Sequence, residues 1–416
     1  MAEPERKVSR NPLSRSNPLA PAYICVFLFS AGEQMLHVLV PPYIGIELGA
    51  RPAVVGTVLA VFAVASLAAR FPTGMIYTVD RARGLLVVGG VLSAAAFAVA
   101  PLVRSPAPFA ALMAVDGLGW SIATTAQLAV LVAARPPGMS TAWAMGWYSG
   151  FNGLGNTVAA AAGGFLADTV GYGPSFLVLA AIPAVATAVM VALMPWEKVT
   201  RPVSVGDEEP RPRLRTAWRW VAGLPAIVWA GLLIMVYINL MSGIVNTFHP
   251  LIAIGAGLTL TQVGILRSVR SWASSTVRLG SGVVFARTDG RWMTTPLVVL
   301  GAAAVMLVPS VASSFLLQIP LFLAAGLSRG LLRVTGSAEA FDGVGDEGRH
   351  GMVAALLQGG LDLGKLLGPL LGGFAAELWG LPTMFRVLPL LFLLAYLPID
   401  VAARRSLRRR APAEQG

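Results

Sequence analysis

Glu33 stands near the middle of an apolar run, residues 20–44, with Gln34 beside it and His37 one helical turn further on. A charge at the centre of a bilayer costs about 2.5–3.5 kcal/mol on insertion scales, so an embedded ionisable group needs a reason. The charge state of a carboxyl responds to burial and to nearby cations, so a change of access changes its protonation. Glu33 therefore reads as a proton-coupling or ligand-binding group, or as half of a lasting ion pair with an arginine. His37 either extends a proton path or hydrogen-bonds as a wall residue. Asp116, in the middle of the run 106–133, is the second embedded carboxyl. The cations belong to the other half of the chain, at Arg267, Arg270 and Arg329. They can pair with Glu33 and Asp116 as a gate, or grip a ligand carboxylate or phosphate bidentately. Asp362 and Lys365 are three apart on one helix face, where they can neutralise each other or leave Asp362 for a ligand. Gln34, Asn152, Asn239 and Asn246 offer amides to a ligand; Trp120 and Trp272 offer flat surfaces for stacking.

Other chemistries find no support. There is no Gly-x-x-x-x-Gly-Lys-Ser/Thr loop for nucleotide phosphates, which argues against ATP drive. Three histidines and one cysteine supply no metal set. No nucleophile–base arrangement appears, so we expect neither an enzyme nor a cofactor. Cys25 lies in an apolar run and reads as packing. The acidic stretch 339–347 lacks calcium-loop spacing and is expected to be a solvated loop.

These residues must be positioned by membrane helices. Of 416 residues, 56% are hydrophobic and 12% charged; soluble domains carry roughly 25% charged residues. The formal charge of +11 does not indicate nucleic acid, because the basic residues sit in short tracts between apolar runs. Those runs, each near the roughly 20 residues a crossing needs, are 20–44, 53–77, 84–103, 106–133, 142–166, 174–194, 221–247, 261–285, 293–311, 314–335, 351–375 and 382–401. A cleaved leader is set against the first, since losing it would leave an odd number of spans. The expected organisation is a tail (1–19), a six-helix bundle (20–194), a hydrophilic linker (195–220), a second six-helix bundle (221–401) and a basic tail (402–416).

Arginine placement sets the orientation. Arg81, Arg83, Arg135, the linker arginines, Arg287, Arg291, Arg349 and the C-terminal arginines fall on one side; Arg51 and Arg104 fall on the other. We therefore expect a multi-pass protein of the plasma (cytoplasmic) membrane with both termini inside. Polar residues recur at helical spacing in the first span (Ser30, Glu33, Gln34, His37) and the seventh (Asn239, Ser242, Gly243, Asn246). Spans three, six, nine and twelve carry almost none, which suits them to face lipid.

The chain also repeats itself. Gly150, Gly155, Gly163, Phe165, Asp168 and Gly171 match Gly359, Gly364, Gly372, Phe374, Glu377 and Gly380 at a constant offset. A second echo, shifted by one residue, pairs Gly56 with Gly264, Arg70 with Arg278 and Gly74 with Gly282.

With two six-span repeats, the sequence resembles the major facilitator superfamily over nearly its whole length, nearest to the drug/proton antiporter branch. Arg70-Phe71-Pro72-Thr73-Gly74 opens that branch's loop motif, but Thr78 takes the place of an aspartate, with Asp80, Arg81 and Arg83 just beyond. Asp116-Gly117-Leu118-Gly119 resembles its fourth-span motif, with Met113 where an arginine belongs. Its Gly-Pro…Gly-Gly signature stands at Gly368-Pro369 and Gly372-Gly373 in the eleventh span; the fifth has Ala159-Ala160 instead. The resemblance implies two pseudo-symmetric bundles, with a substrate site lined by spans one, four, seven and ten. Arg70, Gly74, Asp80, Arg278, Gly368 and Pro369 are then gating or structural positions. The expected activity is secondary active transport by alternating access, exporting a small amphiphilic or anionic organic molecule in exchange for protons. Uptake of an organic anion, lipid or lysolipid flipping, and a non-transporting receptor are the alternatives. The expected partners are a small-molecule substrate, protons and the lipid bilayer, with the protein a monomer.

Overall fold

An apolar run inside a bilayer must satisfy its own backbone hydrogen bonds, which a helix does within one segment. In the computed structural model, which describes residues 17–135, 141–199, 224–285, 293–342 and 350–410, nearly every such residue is helical. The long helices are α1 (Ala20–Pro42), α2 (Pro52–Ile76), α3 (Val79–Val99), α4 (Pro106–Ala133), α5 (Thr141–Val170) and α6 (Tyr172–Leu193), then α7 (Ala226–Gly255), α8 (Leu260–Phe285), α9 (Thr294–Leu307), α10 (Phe315–Asp342), α11 (His350–Trp379) and α12 (Leu381–Arg410). The protein is an all-α polytopic membrane protein with twelve helices in two pseudo-symmetric sets of six. Nine have the length and mean hydropathy of a crossing among the described residues. The three that fall short, α5, α8 and α11, carry the asparagines, arginines and Asp362–Lys365 in their interiors. Most of the expected linker, both extreme tails, and Arg287, Arg291 and Arg349 lie outside the described residues.

Some boundaries differ from the apolar runs. The seventh run was expected to end at 247, short of Pro250, yet α7 continues through that proline to Gly255. The α1 helix passes Pro41 and Pro42 into a π-helical turn, Tyr43–Glu47. The stretch 339–347 is not wholly a solvated loop: α10 reaches Asp342, and Glu339 is buried. Thr294 donates to Glu339 Oε1 at 2.6 Å, and Thr295 donates to Asp400 Oδ2 at 2.7 Å. Two buried acids thus meet the first turn of α9, where the helix dipole favours negative charge.

Two compact units emerge, one of residues 1–43 and 61–205, the other of 44–60 and 206–416. In the first, α1 packs on α5 and α6, and α3 on α4 and α6. In the second, α7 packs on α11 and α12, and α9 on α10 and α12. This is the same pairing scheme, and the repeat holds at the level of atoms. Asn152 Nδ2 donates to Ser30 Oγ at 2.6 Å, tying α5 to α1; Asn239 Nδ2 donates to the Leu361 carbonyl at 2.9 Å, tying α7 to α11. Each bond spans 122 positions of sequence. Gly155 lies against the Phe27 carbonyl and Gly364 against the Val236 carbonyl, with Ser30 Cβ and Asn239 Cβ as matching neighbours. Close backbone approach through small residues is how membrane helices gain contact without a hydrophobic drive.

Turns repeat as well. Gly171 (φ 81°) alone joins α5 to α6, and Gly380 (φ 80°) alone joins α11 to α12. Both occupy the left-handed region, where a Cβ is penalised. In the second unit Gly368 abuts the Leu240 carbonyl and Gly243 Cα of α7, while Gly373 approaches Pro52, Ala53 and Gly56. The Gly-Pro…Gly-Gly stretch is thus a two-sided packing surface. Its ion pair, Arg51 to Glu377 at 3.5 Å, is largely exposed and of little energetic weight.

Burial singles out the first helix of each repeat. Of the most apolar window, 67% is buried in α1 and 61% in α7, against 28% in α12. The α3 and α6 windows are 39% buried, but so is that of α10, so burial alone does not separate the helices expected to face lipid.

Candidate functional site

In the first unit, Glu33 of α1 and Asp116 of α4 line one small cavity of about 20 Å³, with Trp120, Phe62, Phe97 and Ser93 among its other walls. Asp116 is buried. Its place follows from tight helix packing: Gly117 abuts the Phe62 carbonyl of α2, and Gly119 and Gly89 bring α4 and α3 together, each Cβ position 2.6 Å from the other's carbonyl oxygen. Ser93 Oγ reaches the Asp116 carbonyl at 3.5 Å. Trp120 packs against Phe62 with ring centroids 5.9 Å apart, and the Arg70 guanidinium lies 5.8 Å from the Trp120 ring centre. Such a cation–π contact contributes roughly 0.5–2 kcal/mol. Arg70 therefore has a second connection that sequence did not suggest: it touches the wall of the acidic cavity. Two carboxyls in an apolar, aromatic-walled cavity form an arrangement able to hold and pass a proton.

In the second unit, α8 points Arg267 and Arg270 inward, and both are buried. Arg270 Nη2 donates to the Asn246 side-chain oxygen, and Arg267 Nη1 to the Asn246 carbonyl at 3.4 Å. Arg270 and Arg329 line a second small cavity, of about 30 Å³, with Tyr237, Ser242 and Ser328. All three hydroxyls donate to backbone carbonyls: Ser242 to Ile238 at 2.7 Å, Ser328 to Leu297 at 2.6 Å and Tyr237 to Val298 at 3.0 Å. Beyond this lies a pair that sequence reading missed. Fully buried His249 meets Gln318 at 2.6 Å, the Gln318 amide donates to the Ala312 carbonyl at 2.9 Å, and the His249 ring packs on Phe322. His249 lies two residues past the expected end of the seventh run, inside the longer helix α7.

The two cavities occupy equivalent places in the repeat. Gly117 abuts the Phe62 carbonyl as Gly326 abuts the Arg270 carbonyl. That register sets Ser242 where the first repeat has Glu33, Ala325 where it has Asp116, and Arg329 where it has Trp120. Acids line one cavity and cations the other.

The remaining candidates scatter. Gln34 is buried on α1, and His37, on the same helix, is not among the residues lining the acidic cavity. Asn152 is bonded to Ser30, and Asn156 to Asn152 at 3.1 Å; Asn239 is bonded to α11. Asp362 is half-buried with Lys365 on α11. Trp272 is 56% exposed, on the side of α8 away from Arg270 and Ser274. Arg278 bonds within α8, to the Ser274 carbonyl at 3.1 Å and Ser275 Oγ at 3.2 Å. Gly74 and Asp80 are exposed. Thr78, standing where the antiporter motif has aspartate, caps α3 by accepting from the Arg81 backbone N–H at 3.3 Å. Among the described residues, no group of histidine, cysteine and acidic side chains is arranged to hold a metal ion.

Comparison with solved structures finds the same architecture. A single-residue variant of the nucleoside transporter NupG superposes with a TM-score of 0.75 at 12% identity, covering 94% of this chain and 99% of that one. The unsubstituted NupG gives 0.72 at 14% identity, covering 94% and 98%. A bacterial homologue of the human lysosomal transporter Spinster, inward-facing and unoccupied, gives 0.71 at 16% identity, covering 96% and 98%. No curated protein matches the sequence. At such low identities the structures speak to the fold alone, but the profile of the Major Facilitator Superfamily matches residues 22–347. With twelve helices, an internal repeat and that match over most of its length, the chain belongs to the Major Facilitator Superfamily and is a membrane transporter, not an enzyme.

Proposed function

We propose that this transporter works by alternating access and exports a small amphiphilic or anionic organic molecule in exchange for protons, with Glu33 and Asp116 as the proton-carrying pair. The observation that carries the reading is that both carboxyls line a single cavity inside one bundle. A proton bound there neutralises charge that an apolar cavity disfavours, so loading and release alter the balance between conformations. That is the requirement for coupling: the ligand must interact differently with the two states. Gln34 and Trp120, on the helices carrying the acids, are suited to contact the substrate. An organic solute is also what one structural relative, a nucleoside transporter, is named for. The distribution of arginines supports a cytoplasmic membrane location with both termini inside, and we take the working unit to be a monomer.

The test is flux by purified protein in liposomes under an imposed pH gradient, over a panel of nucleosides, lysolipids, organic anions and organic cations. Gradient-driven flux of at least one class is expected in the wild type. Glu33→Gln and Asp116→Asn should each reduce gradient-driven flux at least about tenfold while leaving counterflow exchange of labelled substrate measurable. If both variants transport like the wild type under the gradient, the proton role is refuted. Gradient-driven accumulation in the direction of proton flow would replace export with uptake.

A further inference from the structure

We propose that Arg267 is a positioning residue for α7: it takes up the backbone carbonyl that Pro250 sets free, and so lets α7 run on as a helix to Gly255. Nothing in the inference depends on Glu33, on proton coupling or on the substrate. A proline has no N–H, so in a helix the carbonyl four residues before it loses its partner. For Pro250, which lies inside α7, that carbonyl belongs to Asn246. It is the same oxygen to which Arg267 Nη1 donates from α8, at 3.4 Å. A carbonyl left unsatisfied inside a bilayer is costly, and a proline is tolerated in a membrane helix where a neighbouring helix supplies the missing donor. Arg267 is fully buried, and a guanidinium makes a stronger donor than the amide it replaces.

The joint has a second side. The Asn246 side-chain oxygen accepts from Arg270, so this one residue of α7 is held by α8 through both its backbone and its side chain. Three residues on, His249 meets Gln318 of α10 at 2.6 Å. The Gln318 amide donates to the Ala312 carbonyl, so its Oε1 faces the ring and His249 is the donor, through Nε2. Helix α7 is therefore tied to α8 at residue 246 and to α10 at residue 249, across the stretch where its own ladder of hydrogen bonds is interrupted. The repeat supplies a comparison. Pro41 of α1 corresponds to Pro250, but Leu59 stands where the second repeat has Arg267. There, with Pro42 adding a second gap, the α-helix gives way to the π-helical turn Tyr43–Glu47. In the second repeat α7 stays α-helical through Gly255. Arg267 acts as a clasp between two helices, distinct from a ligand grip or a gate.

The test is a double-mutant cycle in the purified full-length protein in detergent. Pro250→Ala returns an N–H to the helix, and Arg267→Met removes the donor while keeping most of the apolar stem. Arg267→Met alone should lower the melting midpoint by several degrees. In the Pro250→Ala background at least about half of that loss should disappear, because both changes act on one carbonyl. Amide hydrogen exchange over residues 247–255, read by mass spectrometry, should quicken at least about threefold in Arg267→Met and return towards the wild-type rate in the double variant. A ligand grip or a gate would show no such dependence on Pro250. If Arg267→Met alone cannot be purified, recovery of folded protein in the double variant replaces the midpoint comparison, and no recovery there overturns the proposal. An equal loss of midpoint with and without Pro250 overturns it as well.

Discussion

A buried hydroxyl or amide on a membrane helix acts through the partner it finds, and the partners here are often remote in sequence. Glu33, Asp116, Arg267 and Arg270 could be picked out as chemistry-bearing residues because ionisable groups are rare inside apolar runs. Their surroundings could not. Asn246 read as a possible ligand contact, yet it is occupied by Arg267 and Arg270. Ser30 and Asn152 face each other only because α1 and α5 pack in one particular register. Thr78 shows how a departure from a pattern can keep its physics. Aspartate and threonine both cap helices well, and losing such a cap costs about 1 kcal/mol. Thr78→Ala should therefore lower stability by about 1 kcal/mol in reversible denaturant unfolding, whereas Thr78→Asp should be neutral within error. Equal losses in both variants would show that the cap carries no stability.

At the scale of elements, twelve apolar runs became twelve long helices; nine are marked as crossings by length and hydropathy among the described residues, and the other three are diluted by the polar groups they carry inside. Ends were harder to place. The seventh apolar run was expected to end at 247, but α7 runs on through Pro250 to Gly255, since a membrane helix can re-satisfy the carbonyl that proline frees. Helix contacts depend on glycines whose missing side chains admit a neighbour's backbone, and this distinguishes glycines that look alike in the sequence. A Cβ at Gly364 would collide with the Val236 carbonyl, whereas one at Gly359, five residues earlier, meets open space. Overpacking of this kind costs about 1–3 kcal/mol. Gly364→Ala should lower the melting midpoint of the purified protein by several degrees, while Gly359→Ala leaves it unchanged or slightly raised. The reverse order would contradict the α7–α11 packing.

For the whole molecule, the sequence carried the two-fold repeat openly; the orientation is an expectation drawn from its arginines, many of which lie outside the described residues. Orientation is therefore best tested chemically. Cys25 is the sole cysteine and is buried, so the wild type should be silent to a membrane-impermeant thiol reagent. A cysteine at Ser105, in an expected outer turn, should react in intact cells. One at Ser204, in the expected cytoplasmic linker, should react only after permeabilisation. Labelling of the Ser204 variant in intact cells would invert the topology.

The paired glycine contacts also bear on ancestry. If the two halves descend from one duplicated gene, the positions where Gly155 and Gly364 meet a neighbour's carbonyl could not drift without parting two helices. The cavity walls were under no such restraint: Glu33, Asp116 and Trp120 in one copy stand opposite Ser242, Ala325 and Arg329 in the other. Spacing of small residues would then outlive chemistry as a record of common origin. A fingerprint built from these glycine intervals should find distant cousins of this carrier that share none of its charged residues, and aligning the halves on those intervals would show which polar groups were gained after duplication.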